Sequence, residues 1–355
     1  MIMMESRRVL FILGQMRTGG AERVISILSK DYAKRGWETD ICTLLSEGVE
    51  YDLNSTTECH AFIGNSNSRI RNLPYWLKTI RKHIRETNPD VIVSFAARIN
   101  IIVILACMGL RKKIVVSERN DPRYDGRGIP TVILTKLLYP HTSCVVFQTK
   151  RAAGCFGKRV RKNSMIIPNP IEVLEYAANT DINKIVTVGS LKEQKNHHLL
   201  IDAFAKLNKY YPEKKLYIYG EGPLRPELEK QIYDYNLQER VFLAGQKSDV
   251  HNHISDAAFF VLSSDYEGLS NALLEAMMMG LPCISTSCAG SDEYILNEKN
   301  GLLTPVGDMN ALFYAMKKYF DNEDLRVACG ENARSVAEIV CTENTLKRWH
   351  EVIDI

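Results

Sequence analysis

Short apolar runs recur along the chain and alternate with longer stretches whose apolar residues fall at helical spacing. In the first half the runs cover residues 9–13, 41–45, 91–95, 114–116, 144–147 and 165–167. In the second half they cover 185–188, 216–219, 241–243, 259–262 and 283–285. Strand-then-helix alternation of this kind predicts parallel sheets with helices on both faces, the α/β class. No fixed-period repeat or low-complexity tract interrupts it. The punctuation Pro168-Asn169-Pro170, followed by the polar stretch 177–184, marks a junction. The reading is therefore two α/β domains of similar size, 1–170 and 171–340.

Composition and charge sharpen the picture. At 355 residues, with 45% hydrophobic and 25% charged content, the chain is long enough for two separate cores. Its nine cysteines are scattered, with no Cys-x-x-Cys pair, which predicts a reducing cytoplasmic compartment and no metal site. The apolar run 99–110 falls short of the roughly 18 residues of a spanning helix, so the chain is expected to be soluble or attached to a surface. The formal charge of +3 conceals a contrast between halves. Residues 1–170 hold 27 Lys+Arg against 14 Asp+Glu, a balance of +13, and residues 171–355 hold 18 against 28, a balance of −10. Solvated helix faces account for some of this. A contrast so large points the first half toward an anionic partner, whether a lipid surface, a pyrophosphate-bearing substrate or nucleic acid.

In parallel sheets, ligands bind beyond the carboxyl ends of the strands, where the backbone turns into helix N-termini. Three such turns stand out. The first, GQMRTGGAER (14–23), carries Gly19-Gly20, which lets a ligand come close to a helix start that offers N–H donors to an anion. A plain tight turn uses the same glycines, and the spacing is neither Gly-x-Gly-x-x-Gly nor a Walker loop. The second, VGSLKEQKNHH (188–198), places Lys195 within reach of a phosphate at the sheet edge. The adjacent His197 and His198 point to different helix faces and form no metal or acid/base pair. The third is DYEGLSNALLEAM (265–277), where Ser270 or Asn271 caps a helix that runs to Gly280 before Pro282. Amides around Ser270, Asn271 and Ala272 are placed to take phosphate oxygens. Glu275 lies one turn in, above Asn271, and Glu267 hangs in the loop before the helix. An acid in a first turn is also simply a good dipole partner, but two acids framing such a helix start form a narrower pattern.

Several stretches together resemble one family. The spacing of Glu267 and Glu275, the Gly-Gly-Ala-Glu-Arg near the amino end, VGSLKEQKN, IYGEGPL (218–224) and Gly301-Leu302-Leu303 are similar to family 4 glycosyltransferases of the GT-B fold, the retaining "group 1" set. The resemblance runs through nearly the whole chain in the family's order, and is closest to bacterial enzymes of surface-polysaccharide and lipid-linked oligosaccharide synthesis. It implies two Rossmann-like domains facing across a cleft, the first for the acceptor and the second for a nucleotide sugar, with a C-terminal helix at about 341–355 packing back on the first. Glu267 and Lys195 would be catalytic, with Glu267 on the transferred sugar and Glu275 on the ribose hydroxyls. Gly19, Gly20, Ser190, Lys195, Gly268, Leu269, Ser270 and Asn271 would surround the diphosphate, whose developing charge most needs stabilising. Gly220, Gly222 and Gln246 would line the nucleoside.

Two positions depart from the family. Ser190 stands where members commonly carry Arg, giving one hydroxyl in place of a charged fork. Arg119 stands near the place where many members have a sugar-contacting histidine, and is the expected substrate contact. The implied activity is transfer of a hexose or N-acetylhexosamine from a UDP-sugar to a polysaccharide or lipid-pyrophosphate-linked saccharide, with no metal or other cofactor. Retention would follow from attack of the acceptor hydroxyl on the face the diphosphate leaves, without the second carboxylate of a double displacement.

The basic first half then has a candidate partner in an anionic membrane, met at the cytoplasmic face of the inner membrane. Residues 69–85 mix six cations with Tyr75 and Trp76, as an interfacial helix would, and the clusters 111–113 and 158–162 add to them. A helix packing Leu77, Ile80 and Ile84 on a core explains the same letters. No nucleic-acid-binding module accompanies the charge. A sugar-nucleotide epimerase of the same architecture and a non-catalytic nucleotide-sugar-binding scaffold are the alternatives.

Overall fold

The computed structural model describes residues 7–17, 19–172, 180–288 and 290–354. Thr18 of the first turn, residues 177–179 of the polar stretch and Ile355 of the C-terminal helix lie outside the described residues. The chain forms two units, one comprising 1–170 with 343–355 and the other 171–342.

Thirteen strands, all paired in parallel, form the two sheets among the described residues. The first holds β1 (Arg8–Leu13), β2 (Glu38–Thr43), β3 (Glu58–Ala61), β4 (Val91–Phe95), β5 (Lys113–Ser117), β6 (Cys144–Phe147) and β7 (Ser164–Ile166) in the order β3-β2-β1-β4-β5-β6-β7. The second holds β8 (Asp181–Val188), β9 (Lys215–Tyr219), β10 (Val241–Gly245), β11 (Ala257–Leu262), β12 (Cys283–Thr286) and β13 (Leu302–Thr304) in the order β10-β9-β8-β11-β12-β13. Both orders run outward from the first strand and then reverse, the doubly wound α/β arrangement the alternation predicts.

The apolar runs are continuous because each sheet is covered on both faces. In β1, Leu10 and Ile12 enter one core while Val9, Phe11 and Leu13 enter another. In β11, Phe259 and Val261 enter one core of the second unit, and Phe260 and Leu262 the other. Where a strand is not so covered, the apolar signal fails. β3 is an edge strand with mostly exposed side chains, and β13 is a three-residue edge strand; no apolar run announces either. β2 begins three residues before its apolar run because its start is polar, with Thr39 and Asp40 buried.

The helices α1 (Gly20–Lys34), α2 (Arg69–Thr87) and α3 (Ala97–Cys107) flank the first sheet, and α4 (Ile129–Leu138) lies against α3. For α2 the structure favours the core-packing reading of its basic, aromatic sequence. Trp76, Ile80 and Ile84 are buried in the core, and the Trp76 indole donates to the Phe62 carbonyl at 2.9 Å. Its cations therefore form an outward face, and Arg81 is spent on the carbonyls of Ala106 and Met108.

The helix Thr342–Ile353 belongs to the first unit. Trp349, Val352 and Ile353 complete the core that holds Val9 and Phe11. His350 Nε2 lies 2.7 Å from Asp31, and Asp354 takes a hydrogen bond from Tyr32 and a salt bridge from Arg35 at 2.6 Å. Trp349 is fully buried and stacks on Phe95, so replacing it by alanine opens a large cavity. Trp349→Ala is expected to destabilise the first unit by about 3–5 kcal/mol, read as an earlier unfolding transition in urea, with the second unit's transition unmoved.

Candidate functional site

In the second sheet the strand order reverses between β8 and β11, the place where doubly wound sheets bind their ligands. The turn after β8 runs through Gly189 and Ser190 into a single helical turn, Glu193–Lys195, and then into the helix His197–Asn208, capped by Asn196. The segment after β11 runs through residues 263–269 into the helix Asn271–Met278.

These two segments are tied by a dense set of hydrogen bonds. Ser263 Oγ donates to the Lys195 carbonyl at 2.9 Å, and the Asp265 amide donates to the Gln194 carbonyl at 2.9 Å. Asn196 Nδ2 donates to Asp265 at 2.7 Å, and Gln194 Nε2 to the Tyr266 carbonyl at 2.8 Å. The tie ends at Lys195 Nζ, 2.5 Å from Glu267 Oε1. The same oxygen accepts from Ser264 Oγ at 2.7 Å, while Gln194 Nε2 approaches the other at 3.3 Å. Glu267 is 6% exposed, so its carboxylate is held by three donors in a largely water-excluded place.

The helix Asn271–Met278 starts where the sequence placed it. Ser270 is the cap and its Oγ accepts from the Leu273 amide at 3.4 Å. The Leu269 side chain lies in the core just before the helix start. Gly290 explains how that loop packs: it adopts φ +90, and a Cβ there would lie 3.1 Å from the Gly268 carbonyl oxygen. Glu275 is 8% exposed, with its Oε2 3.1 Å from His251 Nε2.

A cavity of about 300 Å³ opens at the ends of β8, β9 and β10, lined by Ser190, Gly220, Glu221, Gln246, Lys247, Val250 and their neighbours. Ser190, Gly220 and Gln246 of the sequence reading thus come together here. Gly222 does not line it. A Cβ at Gly222 would lie 2.3 Å from the Leu191 carbonyl oxygen, so this glycine permits close packing of two turns rather than approach of a ligand. The stem of Lys195 passes over Gly189, whose missing Cβ would meet Lys195 Cδ at 3.3 Å, and so links the cavity to the Lys195–Glu267 pair.

Three expected contacts, Gly19, Gly20 and Arg119, lie in the first unit. The Gly19 amide donates to the Tyr51 hydroxyl at 3.2 Å, and that hydroxyl donates to the Gly19 carbonyl at 2.8 Å. A Cβ at Gly19 would meet only the movable end of the Glu22 side chain, and its backbone is extended, so the local packing does not require glycine. Gly20 opens α1 and is exposed. Arg119 departs from the expectation of an open substrate contact. Its guanidinium is buried over the rings of Phe95 (4.7 Å) and Trp349 (5.5 Å), and Nη1 donates to Asn169 at 3.0 Å. Burial lowers its pKa to about 9, and its contact with the Trp349 ring joins it to the C-terminal helix.

Sequence reasoning missed Gln194, Ser264 and His251, which support Lys195, Glu267 and Glu275. Ser264 lies three residues from the Glu267 it serves, but nothing in residue type marks it as a partner, while Gln194 is 73 residues from Glu267 and His251 is 24 from Glu275. Among the described residues no group of three or more His, Cys, Asp or Glu is arranged to hold a metal ion.

Two family descriptions match the chain: "Glycosyltransferase Family 4" over residues 18–173 and "Glycosyl transferases group 1" over residues 172–336. The N-acetylgalactosamine-N,N'-diacetylbacillosaminyl-diphospho-undecaprenol 4-alpha-N-acetylgalactosaminyltransferase of Campylobacter jejuni is 28% identical over 345 residues, covering 90% of this chain and 92% of that protein. A lipopolysaccharide core biosynthesis glycosyltransferase of Rhizobium meliloti is 26% identical, covering 89% of each chain. Among solved structures, the Anabaena protein HepE in complex with UDP superposes with a TM-score of 0.83 at 17% identity, covering 98% of this chain and 99% of that one. Fold and sequence together make this chain a glycosyltransferase of GT-B fold. It belongs to family 4, the group 1 glycosyltransferases.

His197, the second residue after Lys195, is 1% exposed, and neither ring nitrogen reaches a partner in good geometry. Burial pushes its pKa down to about 4, against a weaker opposing pull from the backbone of Ser190. A base held neutral by the fold contributes stability that is complete above its ordinary value near 6.5 and is lost as pH falls from there toward 4. The second unit is expected to lose up to about 3 kcal/mol across that window. A His197→Leu variant is expected to lose that part of the pH dependence in urea melts followed at stepped pH.

Proposed function

We propose that the chain transfers a hexosyl or N-acetylhexosaminyl unit from a UDP-sugar to a lipid-pyrophosphate-linked saccharide, with retention of configuration, at the cytoplasmic face of a membrane. One observation carries it: the buried Lys195–Glu267 pair over the switch point, between a capped helix start and a cavity of nucleoside size. The names of the relatives support the acceptor class, since the Campylobacter jejuni protein is named for an undecaprenol diphosphate-linked substrate. The UDP in the HepE complex supports the nucleotide.

In this reading the base and ribose occupy the cavity beside Ser190, Gly220 and Gln246, and Glu275, steadied by His251, accepts hydrogen bonds from the ribose hydroxyls. The diphosphate lies against the Gly268 to Asn271 helix start and Lys195. The bond from the anomeric carbon to the diphosphate oxygen breaks, and the acceptor oxygen forms its bond to that carbon on the same face. The acceptor's proton passes to the departing phosphate. Lys195 and the helix-start amides stabilise the charge that develops there, and Glu267 orients the sugar hydroxyls. Positive charge comes from the protein alone, so the proposal calls on no metal ion.

The test is release of UDP from a panel of UDP-sugars, with and without membrane lipid extract. Release is expected only with extract, to fall by about 10²–10³-fold in Glu267→Gln and in Lys195→Met, and to be unchanged by EDTA. A converted sugar with its diphosphate intact would move the reading to an epimerase, and tight UDP-sugar binding with neither product to a scaffold. Glu275→Ala is expected to weaken binding of UDP itself, measured by calorimetry, which Glu267→Gln leaves nearly intact.

A further inference from the structure

α4 has its polarity inverted. Its sequence, IPTVILTKLL, is apolar almost throughout, yet the one buried side chain is the polar Thr135, whose hydroxyl donates to the Val132 carbonyl at 3.1 Å. Ile129, Ile133 and Leu137 are 76%, 51% and 61% exposed, and Leu134 adds a fourth exposed side chain. At i, i+4, i+5 and i+8 these four share one side of the helix and form a continuous apolar strip.

The strip is presented on a fixed mount. Before α4, Arg127 is clamped between Asp125 and the buried Glu118, the latter at 2.6 Å. After it, the Tyr139 hydroxyl donates to the same Glu118 carboxylate, and its ring stacks on Phe156. Both ends of the helix are thus fastened to one internal acid while its apolar side faces outward.

We infer that α4 is the element by which the first unit enters an anionic lipid surface, lying in the headgroup boundary with Ile129, Ile133, Leu134 and Leu137 turned toward the acyl chains. A ten-residue helix is about 15 Å long, too short to span a bilayer, and lies in its interface instead. Charge selects this occupant over a second copy of the chain. Lys136 lies on the helix itself, and the exposed Lys158, Arg159, Arg161 and Lys162 sit on a short helix that packs against the turn ending α4, within a half of the chain whose balance is +13. A symmetric pairing of copies would bring these cations together, whereas anionic headgroups neutralise them. The choice of lipid rests on the lipid-linked acceptor proposed above; the exposed strip does not.

The test is co-sedimentation of the whole chain with vesicles of phosphatidylcholine alone and of phosphatidylcholine with phosphatidylglycerol, free of saccharide and nucleotide. Binding is expected with the anionic vesicles, and Ile133→Ser/Leu137→Ser is expected to lower the partition coefficient about tenfold or more. Both side chains are exposed, so the variant's melting curve and its UDP binding should match the parent's. A variant that binds vesicles as the parent does would overturn the inference, as would a parent dimer in light scattering that the double variant abolishes without change in vesicle binding. Vesicle binding that depends on the strip, in a chain that releases no UDP with lipid extract, would sink the transferase reading and leave this surface standing.

Discussion

Lys195 and Glu267 stand 72 residues apart in the chain and meet because β8 and β11 are neighbours at the reversal of the second sheet. A buried ion pair by itself is a poor source of stability, because desolvating two charges offsets their attraction. Here Ser264 and Gln194 add donors to the carboxylate, and backbone bonds on either side hold both segments in place. The consequence is positional. A cation and an anion are fixed where the open end of the sheet, the start of the Asn271–Met278 helix and the cavity converge, at no cost of ordering when a ligand arrives.

How far the chain could be read from its letters follows from where its information is local. Continuous apolar runs such as 91–95 and 259–262 announce buried parallel strands because both faces are covered, and the Ser270 cap announces a helix start because capping chemistry sits within four residues. β3 and β13 were silent because an edge strand needs no apolar face to pair. Glycines carried a double meaning. Gly220 and Gly222 each make room for a neighbouring carbonyl, of Gly189 and Leu191, but only Gly220 also lines the cavity, and nothing in sequence separates them. Arg119 was the reverse case, a cation read as a substrate contact whose place is buried beside two stacked aromatic rings. Only the return of the C-terminal helix supplies the second ring.

The two units answer the charge contrast differently. The acidic second half carries the candidate site, and in the proposed reading attraction for an anionic donor is arranged there locally, by one lysine and a helix start, against an unfavourable background. The basic first half spreads its cations over α2 and the Lys158 to Lys162 segment, and presents an exposed aliphatic strip on α4. Such a division keeps long-range steering and short-range grip on separate surfaces.

The C-terminal helix also sets an order of completion. Residues 171–342 form their unit from one uninterrupted stretch, whereas the first unit needs Trp349, Val352 and Ile353 beside Val9 and Phe11. As the chain emerges from the ribosome, the portion made later can finish its core first, while the earlier portion waits with an open face until the last residues are free. That vacancy on the nascent first unit is lined by Phe95 and Phe11, and it is where a chaperone would have most to protect.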